Sequence, residues 1–141
     1  MADPYRLQRF VDAQNRGRTY DNALAELRGG RKRSHWMWFV FPQIAGLGRS
    51  PTAQHYAISG LEEARAYLDH PLLGDRLREA ARILTNLDGR DAIHVFGSID
   101  AQKLRSSMTL FARAAPDEKI FTDVLAQYFA GRPDDGTIGL L

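Results

Sequence analysis

The sequence predicts an all-α fold: a single compact multihelical domain over residues 1–141, with about six to eight helices and no substantial β-sheet. Three observations carry that expectation. Apolar residues recur at three- and four-residue spacing along most of the chain, the pattern of amphipathic helices. Apolar–polar alternation of period two persists nowhere for a useful length, so half-buried strands have no support. The 141 residues, 44% of them apolar, suit one core, because a chain of this size buries about two-thirds of its unfolded surface.

The elements follow in order. Asp3-Pro4 supplies an acidic cap and a first-turn proline ahead of Leu7, Phe10, Val11 and Gln14 on one face. Asn15-Arg16-Gly17 closes that helix. Tyr20, Ala23, Leu24 and Leu27 mark a second, stopped at Gly29-Gly30. His35 to Phe41 is aromatic and rich in strand formers, yet no second strand candidate exists to pair with it. It is therefore expected as a short buried helix, capped by Ser34 and stopped before Pro42. Ser50-Pro51 reads as a helix N-cap and first turn. Ser59 and Glu62 have capping-box spacing before Leu61, Ala64, Tyr67 and Leu68. His70-Pro71 restarts the chain, and Leu73, Leu77, Ala80, Leu84 and Leu87 form a stripe ending at Asp88-Gly89. Gly97-Ser98 precedes a helix with Leu104, Met108 and Phe111 inward. Pro116 opens the last long helix, whose inward residues are Phe121, Val124, Leu125, Tyr128 and Phe129, with Gly131 as its stop.

Composition narrows the chemistry. The chain has no cysteine, which removes disulfides, thiolate metal sites and a cysteine nucleophile. The longest apolar run, Trp36 to Phe41, falls far short of the roughly 18 residues a spanning helix needs. The first residues lack an apolar signal segment, so a soluble, cytoplasmic protein without membrane partners is expected. Net charge is only +2, but residues 1–50 carry nine Lys/Arg against four Asp/Glu, with a knot at Arg31-Lys32-Arg33. Such a knot attracts phosphates or an acidic partner. His35, His55, His70 and His94 show no HExxH motif and no pair three or four residues apart, so no metal is expected. Walker, GxGxxG and GxSxG motifs are absent, and no cofactor is expected.

Two segments concentrate residues suited to a binding site. Between Lys32 and Ser50 lie both tryptophans, Trp36 and Trp38, with His35, Gln43 and the basic knot. Large aromatics interleaved with hydrogen-bonding groups are what a pocket for a flat ligand requires. In the second segment, Asp100, Lys103 and Ser107 occupy adjoining helical turns beside the stripe of Leu104, Met108 and Phe111. Polar groups beside a buried stripe must find partners or face a cavity.

Ser34-His35-Trp36-Met37-Trp38-Phe39-Val40-Phe41-Pro42-Gln43, with Gly46-Leu47-Gly48-Arg49-Ser50, Glu63 to Gly74 and Lys103-Leu104-Arg105-Ser106-Ser107-Met108-Thr109-Leu110-Phe111, strongly resembles an uncharacterised family of small proteins. That family occurs in bacteria and fungi and is often labelled "calpastatin" in genome files. The resemblance spans nearly the whole chain and implies a multihelical fold with an unknown activity. The label is set aside, because an inhibitor of that kind is disordered whereas this chain has the composition of a full core.

The function expected from these residues is binding of a small polar or anionic, nucleotide-like ligand. Its pocket would lie between the His35–Gln43 segment and the Asp100–Ser107 helix. Lys32 and Lys103 would hold negative charge, Trp36 or Trp38 would stack, and Gln43 and Ser107 would hydrogen-bond. His35 or Asp100 would serve as acid or base in a metal-independent hydrolase or transferase. Two readings of other classes stand beside it. A nucleic-acid-binding module needs exposed tryptophan rings, and a protein-interaction adaptor needs a broad apolar patch.

Overall fold

The computed structural model describes residues 2–141; Met1 lies outside the described residues. The helices are α1 (Gln8–Asn15), α2 (Thr19–Arg28), α3 (Met37–Val40), α4 (Pro51–His55), α5 (Leu61–Asp69), α6 (Leu73–Thr85), α7 (Ala92–Ala114), α8 (Lys119–Phe129) and α9 (Asp135–Gly139). A single 3₁₀ turn, Arg16–Arg18, joins α1 to α2. Among the described residues there is no β-sheet; one isolated parallel bridge pairs Ile44 with Ile58. The all-α class expected from periodicity is the class that forms.

Helix α7 is the spine. Every residue from Ser106 to Phe111 is buried, because α5, α8 and α9 all pack against it. Helix α6 lies against α5 and α8, α2 against α6, and α1 against α2 and α3. The buried apolar residues form one contiguous cluster reaching from Leu7 to Leu125. At about 1.5–3 kcal/mol for each fully buried large side chain, residues such as Phe10, Trp36, Tyr67 and Phe111 dominate its stability.

Several element starts differ from the sequence expectation, each for a local reason. Asp3 accepts the Leu7 and Gln8 N–H groups at 2.8 and 3.0 Å, so it caps a helix that begins four residues later than the proline suggests. Ser34 does not cap α3: its hydroxyl donates to Glu26, and Trp36 occupies the cap position. The Ser59 box closes on Glu63 rather than Glu62. Ser59 N–H and Oγ donate to Glu63 Oε1 at 2.9 and 2.8 Å, while Gly60 takes the cap position. His70 Nδ1 accepts from Leu72 and Leu73 N–H and caps α6. Ser50 caps α4 as expected, accepting from Ala53 N–H. Two helical stretches are too short to show a period in advance: Ala92–Phe96, ahead of the Gly97 kink, and the five-residue α9.

Candidate functional site

The aromatic segment is held from beneath by two buried or half-buried polar residues. Gln14 on α1 is 1% exposed; its Nε2 donates to the Phe39 carbonyl at 2.7 Å, and Arg76 donates to its Oε1 at 3.2 Å. Glu26 on α2 gathers the loop before α3. Its carboxylate accepts from Arg33 N–H at 2.7 Å, Ser34 N–H at 2.9 Å, Ser34 Oγ at 2.5 Å and Trp36 Nε1 at 3.0 Å. Burial pushes this carboxyl up, but the hydrogen bonds led by Ser34 outweigh it and hold the pKa at about 2. Downstream, Ala45 N–H donates to the Ile58 carbonyl and Ile58 N–H to the Gln43 carbonyl, both at 2.8 Å, fixing the backbone at Gln43.

Opposite this segment, Gly97 interrupts α7 with φ 79° and ψ 166°. A new helical run therefore starts at Ser98. Two cavities open there. The first, about 380 Å³, is bordered by Lys32, His35, Trp38, Gly97, Asp100 and Lys103. The second, about 490 Å³, is bordered by Gln43, Leu47, Gln102, Ser106, Asp134 and Gly136. Ser98, Ile99 and Lys103 border both, so the two run side by side along one stretch of α7.

The three charges of the first cavity are not equivalent. Lys32 Nζ contacts Asp100 Oδ2 at 2.8 Å, donates to the Ser34 carbonyl at 2.5 Å and lies 5.0 Å from the centre of the Trp36 ring. Its side chain is only 7% exposed. An ammonium has three donors, of which Asp100 and Ser34 take two. Lys103 Nζ stands 3.6 Å from Asp100 Oδ1 with its side chain 24% exposed, and lies 5.1 Å from the Trp38 ring centre. Lys103 is therefore the more open and less engaged of the two lysines. Two lysines against one aspartate leave the cluster with one positive charge.

Of the residues singled out in the sequence, Lys32, His35, Trp38, Asp100 and Lys103 come together on the first cavity, and Gln43 joins Lys103 on the second. Trp36 and Ser107 do not reach either. Trp36 is fully buried, with its indole N–H used by Glu26, so of the two tryptophans only Trp38 borders open space. Ser107 is fully buried in the core face of α7, and its hydroxyl has no hydrogen-bond partner among the described residues. Sequence reasoning missed Glu26, Gln102 and Asp134, each of which looks like a solvated helix or loop residue. For Glu26 the only signal was its place one turn before Gly29-Gly30, and that says nothing of a loop folding back onto it.

Among the described residues, no group of three or more His, Asp or Glu converges as a metal site would require, and no helix is long and apolar enough to cross a membrane. The family described as "Protein of unknown function (DUF1810)" matches residues 4–141. The chain is also similar to a solved structure, that of the conserved hypothetical protein Rv1873 from Mycobacterium tuberculosis. The two are 52% identical over 99% of this chain and 98% of that one, with a TM-score of 0.95. No curated protein matches.

Proposed function

The chain belongs to the DUF1810 family of proteins of unknown function, and from the geometry of its own cavities we propose that it binds a small anionic, nucleotide-like ligand at Lys103. The observation that carries this reading is a lysine with unspent donors on a cavity wall. Beside it stand an indole ring, an Asp100 carboxylate locked to Lys32, and the start of a helical run. A partly desolvated cation favours an anion, and the half-buried Trp38 offers a flat apolar wall.

Lys32 then serves the site indirectly. It fixes Asp100, and Asp100 in turn orients Lys103. The groups at this wall able to move a proton are His35 and Asp100, which suits hydrolysis or group transfer on the bound ligand. One imidazole and one carboxylate already tied to two lysines make a poor donor set for a cation, so the proposed chemistry is metal-independent. A platform for single-stranded nucleic acid fits less well. It needs a series of open ring faces, whereas Trp36 is enclosed and only Trp38 borders open space.

The test is a thermal-shift series with inorganic phosphate, sugar phosphates and nucleotides on the wild-type protein and on Lys103→Met. A ligand that binds only the folded state raises the melting temperature by mass action. The expected result is a rise in the wild type that Lys103→Met abolishes, with the unliganded stabilities within about 1 kcal/mol of each other. If every ligand treats the two proteins alike and the variant is merely less stable, Lys103 is structural and the proposal is wrong.

A further inference from the structure

The second cavity differs in chemistry from the first, and we infer that it is a subsite for the uncharged ring of the same ligand. The occupant is then a nucleoside monophosphate, with its phosphate at Lys103 and its base against Gln43 and Gln102. This inference rests on the reading of Lys103 given above.

Its first support is continuity. Lys103 borders both cavities, as do Ser98 and Ile99, so an anion held by its ammonium has open space on either side. Each cavity falls in the range of small-molecule sites, about 300–1,000 Å³, and either is far larger than a phosphate.

The second support is the kind of polar group presented. Apart from Lys103, the one charge among the residues bordering the second cavity is Asp134, and that carboxylate already accepts four hydrogen bonds. It accepts from Ser106 Oγ at 3.0 Å, Gln102 Nε2 at 2.8 Å, Thr137 N–H at 3.0 Å and Thr137 Oγ1 at 2.7 Å. What remains free is neutral. Gln102 spends its amide nitrogen on Asp134, which leaves its Oε1 as an open acceptor. The half-buried Gln43 side chain makes no hydrogen bond among the described residues. A side-chain amide carries donor and acceptor side by side, the complement of a base edge.

The third support is apolar. Ile99, 74% exposed, stands in water between the cavities, and Leu47 borders the second; a ring seated between them buries surface that is now wet. Gly136 lies within α9, where glycine costs about 1 kcal/mol relative to alanine. A Cβ there would meet Leu47 Cδ2 at 3.4 Å and Asp134 Oδ2 at 3.5 Å, which is ordinary contact. Packing does not call for this glycine, and its effect is to keep the cavity wall low.

Isothermal titration calorimetry with inorganic phosphate, ribose 5-phosphate and adenosine and uridine 5′-monophosphates separates the possibilities. Wild-type protein should bind a nucleoside monophosphate at least about tenfold more tightly than phosphate, which is about 1.4 kcal/mol. Gln43→Leu should bring that ligand to within about threefold of phosphate without changing phosphate itself. Gly136→Ala, at a helical position with room for the methyl group, should reduce the same increment and serves as a second probe if Gln43→Leu folds poorly. Lys103→Met should remove binding of all four. Phosphate binding that depends on Lys103 but gains nothing from a nucleoside overturns the second subsite and leaves the anion site standing. Ribose 5-phosphate matching the nucleotides overturns the assignment of the base. No binding by any of the four overturns both proposals.

Discussion

Glu26 decides the conformation of the segment that faces the cavities, although it touches neither cavity. Its carboxylate collects two backbone N–H groups, a hydroxyl and an indole N–H from residues 33–36, so the loop is folded around one anion. In Glu26→Gln an NH₂ group is brought against this set of donors. The expected loss is about 1–3 kcal/mol, read from denaturant unfolding, with a matching loss of ligand-induced stabilisation as Trp38 shifts. Ser107 presents the opposite case. Its hydroxyl is buried without a partner among the described residues, and removing such a group relieves a desolvation cost. Ser107→Ala should therefore be neutral or stabilising by up to about 1 kcal/mol. A loss of more than that in equilibrium unfolding would mean the hydroxyl has a partner after all.

At the scale of elements, α7 does two jobs that ordinarily conflict. From Leu104 to Phe111 it is core, and from Gly97 to Lys103 it is a wall of open cavities. The break at Gly97 sets where the wall begins. Its φ of 79° with ψ of 166° is a region that essentially only glycine occupies, and a side chain there costs about 1–3 kcal/mol even though a Cβ would meet nothing within 4 Å. Gly97→Ala should therefore destabilise by that amount. It should also weaken phosphate binding, because relieving the strain re-aims Ser98 to Lys103. A variant with wild-type stability and wild-type binding would show that the kink is not what sets this wall. The far end of the same helix secures α9: Arg105 donates to the Arg132 and Pro133 carbonyls, and Thr109 Oγ1 accepts from Asp134 N–H.

For the molecule as a whole, acid sensitivity follows from carboxylates that the fold keeps ionised. Glu26 is held at about 2 against an ordinary 4.5, and hydrogen bonds led by Thr137 lower Asp134 in spite of burial. A group depressed on folding contributes its stability above the unfolded pKa and loses it as pH falls through the folded one. The melting temperature should be level down to about pH 5 and then decline progressively to about pH 2, with a shallower decline in Glu26→Gln; thermal scans across that range check it. Charge also limits partners. With a net charge of only +2, no salt-sensitive retention of single-stranded RNA tighter than about micromolar is expected at 0.15 M salt, and filter binding measures it.

The amino-acid sequence by itself determined the all-α class, the faces of the long helices and the region where the cavities would lie. Those properties are local: a 3.6-residue period, caps and glycine stops act within a few residues of one another. Even the grouping of Lys32, His35 and Trp38 with Asp100 and Lys103 was legible, because polar and aromatic residues set against apolar stripes need some common opening. Which of them face it was a tertiary decision. Trp36 and Trp38 are two residues apart and equally aromatic, yet only folding onto Glu26 buries the first and leaves the second on the wall. Lys32 and Lys103 carry the same charge, but one is enclosed and held by Asp100 and Ser34 while the other is more open and keeps free donors. Ser107, one helical turn beyond Lys103, points into the core instead. Hydrogen-bond partners 8–68 positions apart along the chain fix these outcomes, and spacing within a segment carries no information about them.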